Sequence, residues 1–195
     1  MAGGGEFSGL QLCRRRAMFG AALSLCPLLN IPARADDQPD ETEKGPQPGD
    51  HLVFLGGPKK DQPARVGDLE LGGEQMQTYP ADPKGLVRDG TPLNLVLLVR
   101  VGDDGLDEET RKLATGGVVA YSAICTHQAC PVIQWSTEKK AMVCSCHGST
   151  YDPRIGAKVI FGPAPLPLAG LPLKSENGLL IVAGGFNGPI GRQTD

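Results

Sequence analysis

The sequence predicts an all-β fold: an antiparallel β sandwich carrying a small inserted subdomain and one short helix. Three observations lead there. Among 195 residues there are 27 glycines and 17 prolines, which punctuate the chain at turn-like intervals. Between them the apolar residues come in short runs, the length of strands rather than of helices. Aromatic residues make up only 5% of the chain, which disfavours a helical bundle. The same composition excludes two broad classes. No apolar run reaches the ~20 residues that a membrane helix needs. A formal net charge of -3 and the absence of a long basic run remove the footprint of nucleic-acid binding.

The elements follow in order. Strands are expected at His51–Leu55, Val66–Leu71, Gln75–Tyr79 and Leu93–Val101, where β-branched and other apolar residues are bounded by Gly, Pro, Asp or Asn. A helix is expected at Leu106–Ala114. Asp107, Glu108 and Glu109 lie in its first turn, Arg111 and Lys112 near its end, and Gly116 follows, an order that suits the helix dipole. That acidic run reads as a solvated helix face rather than a metal site. Val118–Ile124 is again a strand, followed by shorter ones at Val132–Trp135, Ala141–Cys144, Val159–Phe161, Leu171–Lys174 and Leu179–Val182. Residues 51–118 and 166–184 are expected to supply two antiparallel layers. The inserted subdomain spans about 119–165.

The two ends read differently. Arg14-Arg15-Arg16 precedes a modest apolar stretch, Ala17 to Ile31, and Ala33-Arg34-Ala35 fits a small-residue cleavage pattern. Residues 1–35 thus resemble a twin-arginine export signal, cleaved after Ala35, which implies a periplasmic protein. The alternative is an uncleaved segment that anchors the chain in the inner membrane. Cleavage would remove four arginines and one glutamate together with Cys13 and Cys26, leaving a more acidic chain. Residues 36–50 have no apolar periodicity and are expected to form a flexible lead-in. Residues 185–195 read as a glycine-rich surface tail.

Four of the six cysteines and two of the three histidines fall within 23 residues, in Cys125-Thr126-His127-Gln128-Ala129-Cys130 and Cys144-Ser145-Cys146-His147-Gly148-Ser149-Thr150-Tyr151. Such clustering points to a site. Six soft or borderline ligands exceed what one tetrahedral zinc uses. His51 stands apart in an early strand and reads as a surface or packed residue. Trp135 reads as packing beneath a loop.

The spacing Cys-x-His, then sixteen residues, then Cys-x-x-His resembles the Rieske iron–sulfur family, closely over Ala120 to Asp152 and again over Gly162 to Leu168. The resemblance implies a Rieske domain over residues 51–184. It also implies one 2Fe–2S cluster, held by Cys125 and Cys144 on one iron and by His127 and His147 on the other. Cys130 and Cys146 would pair as a disulfide, which an oxidising compartment permits. Ser149 and Tyr151 occupy the positions of hydroxyls that donate to a bridging sulfide and to a ligating sulfur, raising the potential. Gly162, Pro163, Ala164 and Pro165 resemble the proline loop that covers the cluster.

By this resemblance the chain is an exported electron-transfer subunit, similar to the iron–sulfur subunit of cytochrome bc complexes. It would pass single electrons from a quinol-type donor towards a c-type cytochrome. Its neighbour would be a quinol-oxidising cytochrome b-type subunit, through which it can associate with the membrane. Two other readings stand beside this one. The first is the small subunit of a periplasmic molybdenum oxidoreductase such as arsenite oxidase, with the molybdenum subunit as partner. The second, of another class, is a structural zinc-binding interaction module. No substrate chemistry of the chain's own is expected in the electron-transfer readings. A Rieske oxygenase is excluded, because its mononuclear iron needs two further histidines and only His51 remains.

Overall fold

A computed structural model describes residues 40–193. The expected export segment at 1–35, the first four residues of the lead-in and the last two residues of the tail lie outside the described residues. Among the described residues no helix is long and apolar enough to cross a membrane.

Six strands make the larger sheet: β1 (His51–Phe54), β2 (Met76–Ala81), β3 (Val96–Arg100), β4 (Val118–Ser122), β9 (Leu173–Glu176) and β10 (Leu179–Val182). They are antiparallel, in the order β4-β3-β2-β1-β10-β9. The sheet curls until its ends meet. The Ser122 N–H donates to the Ala169 carbonyl at 2.8 Å and the Leu171 N–H to that of Ala120 at 2.9 Å, so the segment entering β9 lies against the free edge of β4. Residues 51–118 and 166–184 thus together build the antiparallel layers of the all-β fold, as one curled sheet. The cause is the pairing of β10 with β1, His51 opposite Ile181.

A second sheet of four short strands has the order β5-β6-β7-β8: β5 (Gln134–Ser136), β6 (Ala141–Val143), β7 (Thr150–Asp152) and β8 (Lys158–Phe161). It is built from the chain that leaves β4 and returns at Ala169. The insertion thus runs over about 123–168, slightly later than expected, because β4 belongs to the larger sheet.

Strands β3 and β4 are buried on both faces, and successive side chains alternate between two cores. Val96, Leu98, Val118 and Ala120 point into the larger sheet, against Leu52, Phe54, Leu171 and Leu180. Leu97, Val99, Val119 and Tyr121 point outwards, against Val132, Met142 and Tyr151 of the inserted sheet. This explains why both strands read as unbroken apolar runs. The inserted subdomain is seated on the second core.

Some local expectations are corrected. Val66–Leu71 is not a strand: Val66–Asp68 is a 3-10 turn, because the Asp68 carboxylate captures the Arg65 N–H at 2.9 Å. The helix is one turn, α1 (Glu108–Arg111), capped by the Asp107 side chain, which accepts from the Thr110 N–H. Bonds of the i to i+3 kind at Leu113 and Ala114 tighten and end it. The β7 strand has no counterpart in the sequence reading. Residues 40–50 do not run free. Asn94 Nδ2 donates to the Lys44 carbonyl at 2.8 Å, Arg88 Nη1 donates to that of Glu41 at 2.9 Å, and the Arg88–Asp50 ion pair is buried. The tail also packs: the Gly170 N–H donates to Asn187 Oδ1, and Gly191 is buried against Ile124 and Ala129.

Candidate metal centre

Cys125 follows β4 and opens one loop; Cys144 follows β6 and opens another. The loops close in the same way. The Ala129 N–H returns to the Cys125 carbonyl at 3.0 Å and the Gly148 N–H to the Cys144 carbonyl at 2.9 Å. The residue four after each cysteine takes a left-handed backbone, at φ 56° for Ala129 and φ 72° for Gly148. Glycine adopts this freely, whereas Ala129 holds it at a cost. Each turn aims backbone N–H groups at its own cysteine sulfur: those of His127 and Gln128 at Cys125, and those of Cys146 and His147 at Cys144.

The Cys130–Cys146 disulfide ties the loops together. Cys125 and Cys144 are free thiols, each only 1% exposed. The His127 and His147 rings lie edge to face with centroids 4.7 Å apart, His147 exposed and His127 half-buried. His51 stands in β1, outside both loops. Trp135 is half-buried in β5 against the second core.

Burial pushes the Cys125 thiol up, but the Tyr151 hydroxyl and the N–H groups of His127 and Gln128 outweigh it and hold the thiol below its ordinary range. Cys144, buried beside it, is held above that range. Burial, reinforced by the Cys125 sulfur, also pushes the Tyr151 phenol strongly up, so its hydroxyl keeps its proton. That oxygen lies 3.1 Å from Cys125 Sγ. Ser149 Oγ is buried and accepts the Ala164 N–H at 3.2 Å, which leaves its own hydrogen free to donate elsewhere.

The segment from Gly162 to Pro165 lies over the second loop. A Cβ on Gly162 would stand 2.5 Å from Ser149 Cα, and its φ of +93° is itself a glycine conformation, so no other residue lets the two backbones approach this closely. Ala164 is the buried residue of this lid, and Pro163 and Pro165 flank it in solvent. The sequence reading missed Thr126. Its Oγ1 donates to the Leu166 carbonyl at 2.7 Å and receives the Leu166 N–H at 3.4 Å, binding the lid to the first loop. The available signal was a hydroxyl lodged between Cys125 and His127.

Two buried thiols and two imidazoles on disulfide-linked loops form a donor set suited to a metal group. One atom tests the fit: His127 Nδ1 is buried without a hydrogen-bond partner. Such an atom is costly unless its lone pair is used, and a metal ion uses it.

The family model of the Rieske [2Fe-2S] domain matches residues 73–172. A Rieske subunit assigned to a respiratory nitrate reductase of Haloferax mediterranei is 37% identical over 121 residues, 61% of this chain and 52% of that protein. The cytochrome bc1 complex Rieske iron–sulfur subunit of Streptomyces coelicolor is 31% identical over 193 residues, 91% of this chain and 51% of that one. Its counterpart in Streptomyces lividans is 31% identical over 163 residues, 75% of this chain and 94% of that one. The chain thus spans about half the length of the first two relatives. The soluble domain of Rieske protein II from Sulfolobus acidocaldarius superposes with a TM-score of 0.40 at 23% identity, over 50% of this chain and 64% of that one.

Proposed function

Because the chain belongs to the Rieske [2Fe-2S] family, and its cofactor is accordingly a two-iron, two-sulfide cluster, we propose that it is an exported one-electron carrier between a quinol-type donor and a c-type cytochrome. When bound, the cluster supplies reversible uptake of a single electron. Cys125 and Cys144 would hold one iron and His127 and His147 the other. The observation that carries this assignment is the orphaned, buried Nδ1 of His127, on the same loop as the free buried thiol of Cys125.

The chain's own groups shape that site. Tyr151, kept protonated, donates to the Cys125 sulfur, and Ser149 has a hydrogen free for an inorganic sulfide; both favour the more negative, reduced state. Ala164, buried against Ser149, seats the lid at the end of the second loop. His147, exposed, can take a proton from a donor that docks at the loops while its other nitrogen serves the metal. A quinol suits this arrangement because it gives up a proton with each electron. Residues 1–35, read as a twin-arginine signal, support a periplasmic location, and the disulfide is compatible with it. A cytochrome b-type subunit is the proposed membrane partner.

A second reading has its own support. The Haloferax mediterranei relative is named as a subunit of a respiratory nitrate reductase, so the chain can instead serve an oxidoreductase outside the bc type.

Visible and electron paramagnetic resonance spectra of purified protein test the cofactor, and the subunit that co-purifies tests the partner. We expect a coloured protein with a 2Fe–2S signal after reduction. Cys125→Ser, His127→Ala, Cys144→Ser and His147→Ala should each abolish the signal. A colourless protein holding one zinc would overturn the reading.

A further inference from the structure

The sulfurs of Cys130, Cys144 and Cys146 all lie within 4.8 Å of one another. Two of them form the disulfide and the third is a free thiol, so a nucleophile and its electrophile are held side by side in the folded chain. Thiol–disulfide exchange proceeds by attack of one sulfur on a disulfide sulfur within reach, at a rate set by the attacking thiol, the leaving sulfur and access. We infer that Cys144 is an internal exchange partner of the Cys130–Cys146 disulfide, and that metal at Cys144 is what fixes the native pairing. The inference rests on the reading of Cys144 as a cluster ligand.

The step balances without outside reagents. The Cys144 sulfur attacks one sulfur of the disulfide, and its proton passes to the sulfur that departs. A new S–S bond to Cys144 forms as the Cys130–Cys146 bond breaks. One disulfide and one thiol stand on each side, so no oxidant or reductant is consumed. A sulfur committed to iron shares its negative charge with the metal and is held in place by it, which weakens it as a nucleophile and suppresses the exchange. Cys125 lies beside Cys144 but outside the group of three mutually close sulfurs, so Cys144 is the thiol that meets the disulfide first. The disulfide that links the two loops is therefore secure only once the site is filled, and the cluster guards a covalent bond that it does not contain.

The test uses the full chain with Cys13→Ser and Cys26→Ser, leaving four cysteines. It is compared with and without cluster, under argon, after minutes to hours. Free thiols are then alkylated in acid-quenched, unfolded protein and located by peptide mass mapping. With cluster, the label should fall on Cys125 and Cys144 alone. Without it, label should appear on Cys130 or Cys146 and be lost from Cys144 ahead of Cys125. Adding Cys144→Ser should restore an undisturbed Cys130–Cys146 pair.

Label confined to Cys125 and Cys144 in the cluster-free chain would overturn the inference. So would Cys125 entering disulfides as often as Cys144, which is what exchange in an unfolded chain gives. The visible spectrum separates the two ideas: a chain that never binds iron refutes the cluster reading, whereas the mapping reports on the sulfurs alone.

Discussion

At the scale of single residues, the site is specified by a few atoms whose partners are known. Tyr151 is fully buried, with its hydroxyl 3.1 Å from Cys125 Sγ. Replacing it with phenylalanine keeps the ring and removes only the donor. A hydrogen bond to a charged group is worth ~1.5–3 kcal/mol, and part of that differs between redox states. A one-electron couple moves ~59 mV per tenfold change in equilibrium constant. Tyr151→Phe should therefore keep the cluster and lower its potential by tens of millivolts to ~100 mV, as protein-film voltammetry would read. Ser149→Ala should act in the same direction, with an added loss of stability because the Ala164 N–H loses its acceptor. An unchanged potential in both variants would remove the tuning role. The two cysteine–histidine loops were legible in the sequence because metal binding needs rare residue types at short, fixed spacings. Thr126 was not, because its partner at Leu166 lies 40 residues away and a threonine carries no spacing signal.

At the scale of elements, the chain encodes the two loops locally and their relation to each other remotely. Strands β1, β3, β4 and β10 were visible as apolar runs because their burial is dense. The β7 strand was not, since Thr150-Tyr151-Asp152 has no apolar alternation; its burial comes from neighbours on both sides. The helix was overread for a similar reason: its charges favour a helix, but the 3-10 bonds at Leu113 and Ala114 end it after one turn. The contact between lid and second loop depends on Gly162. Gly162→Ala would place a Cβ inside the Ser149 backbone and force a positive φ, so the lid must lift. Backbone strain of this kind costs ~1–3 kcal/mol. We expect a lower melting temperature and faster loss of the cluster to a chelator. Cys130→Ser acts on the other tie. It opens a loop of sequence separation 16, worth ~3 kcal/mol in the chain-entropy model. It should reduce stability to denaturant while still permitting some cluster to assemble.

At the scale of the whole molecule, the curled sheet serves as a base to which residues 40–50 are held by buried polar ties. Residues 40–50 look like a solvated leader in the sequence because they are polar and lack periodicity. Their attachment is made by side chains far along the chain. Asn94 gathers the Lys44 and Arg88 carbonyls, and Arg88 reaches the Glu41 carbonyl while its guanidinium is paired with Asp50. Gly90 completes the seat, since a Cβ there would strike Thr42. The Arg88 and Asp50 side chains are only 7% and 2% exposed, so neither charge can turn to solvent without unfolding the segment. Removing one partner strands the other, an error that costs ~3–5 kcal/mol in buried pairs. Arg88→Met should therefore lower the unfolding free energy by about that amount, as urea titration would measure. Arg88→Met combined with Asp50→Asn should recover part of it, because no bare charge is left inside. Relative to a chain beginning at residue 40, one beginning at residue 51 should lose most of what Arg88→Met loses. Equal stability of those two shortened chains would mean that the segment rests on the sheet without holding it. A loss confined to the shorter one makes residues 40–50 part of the base.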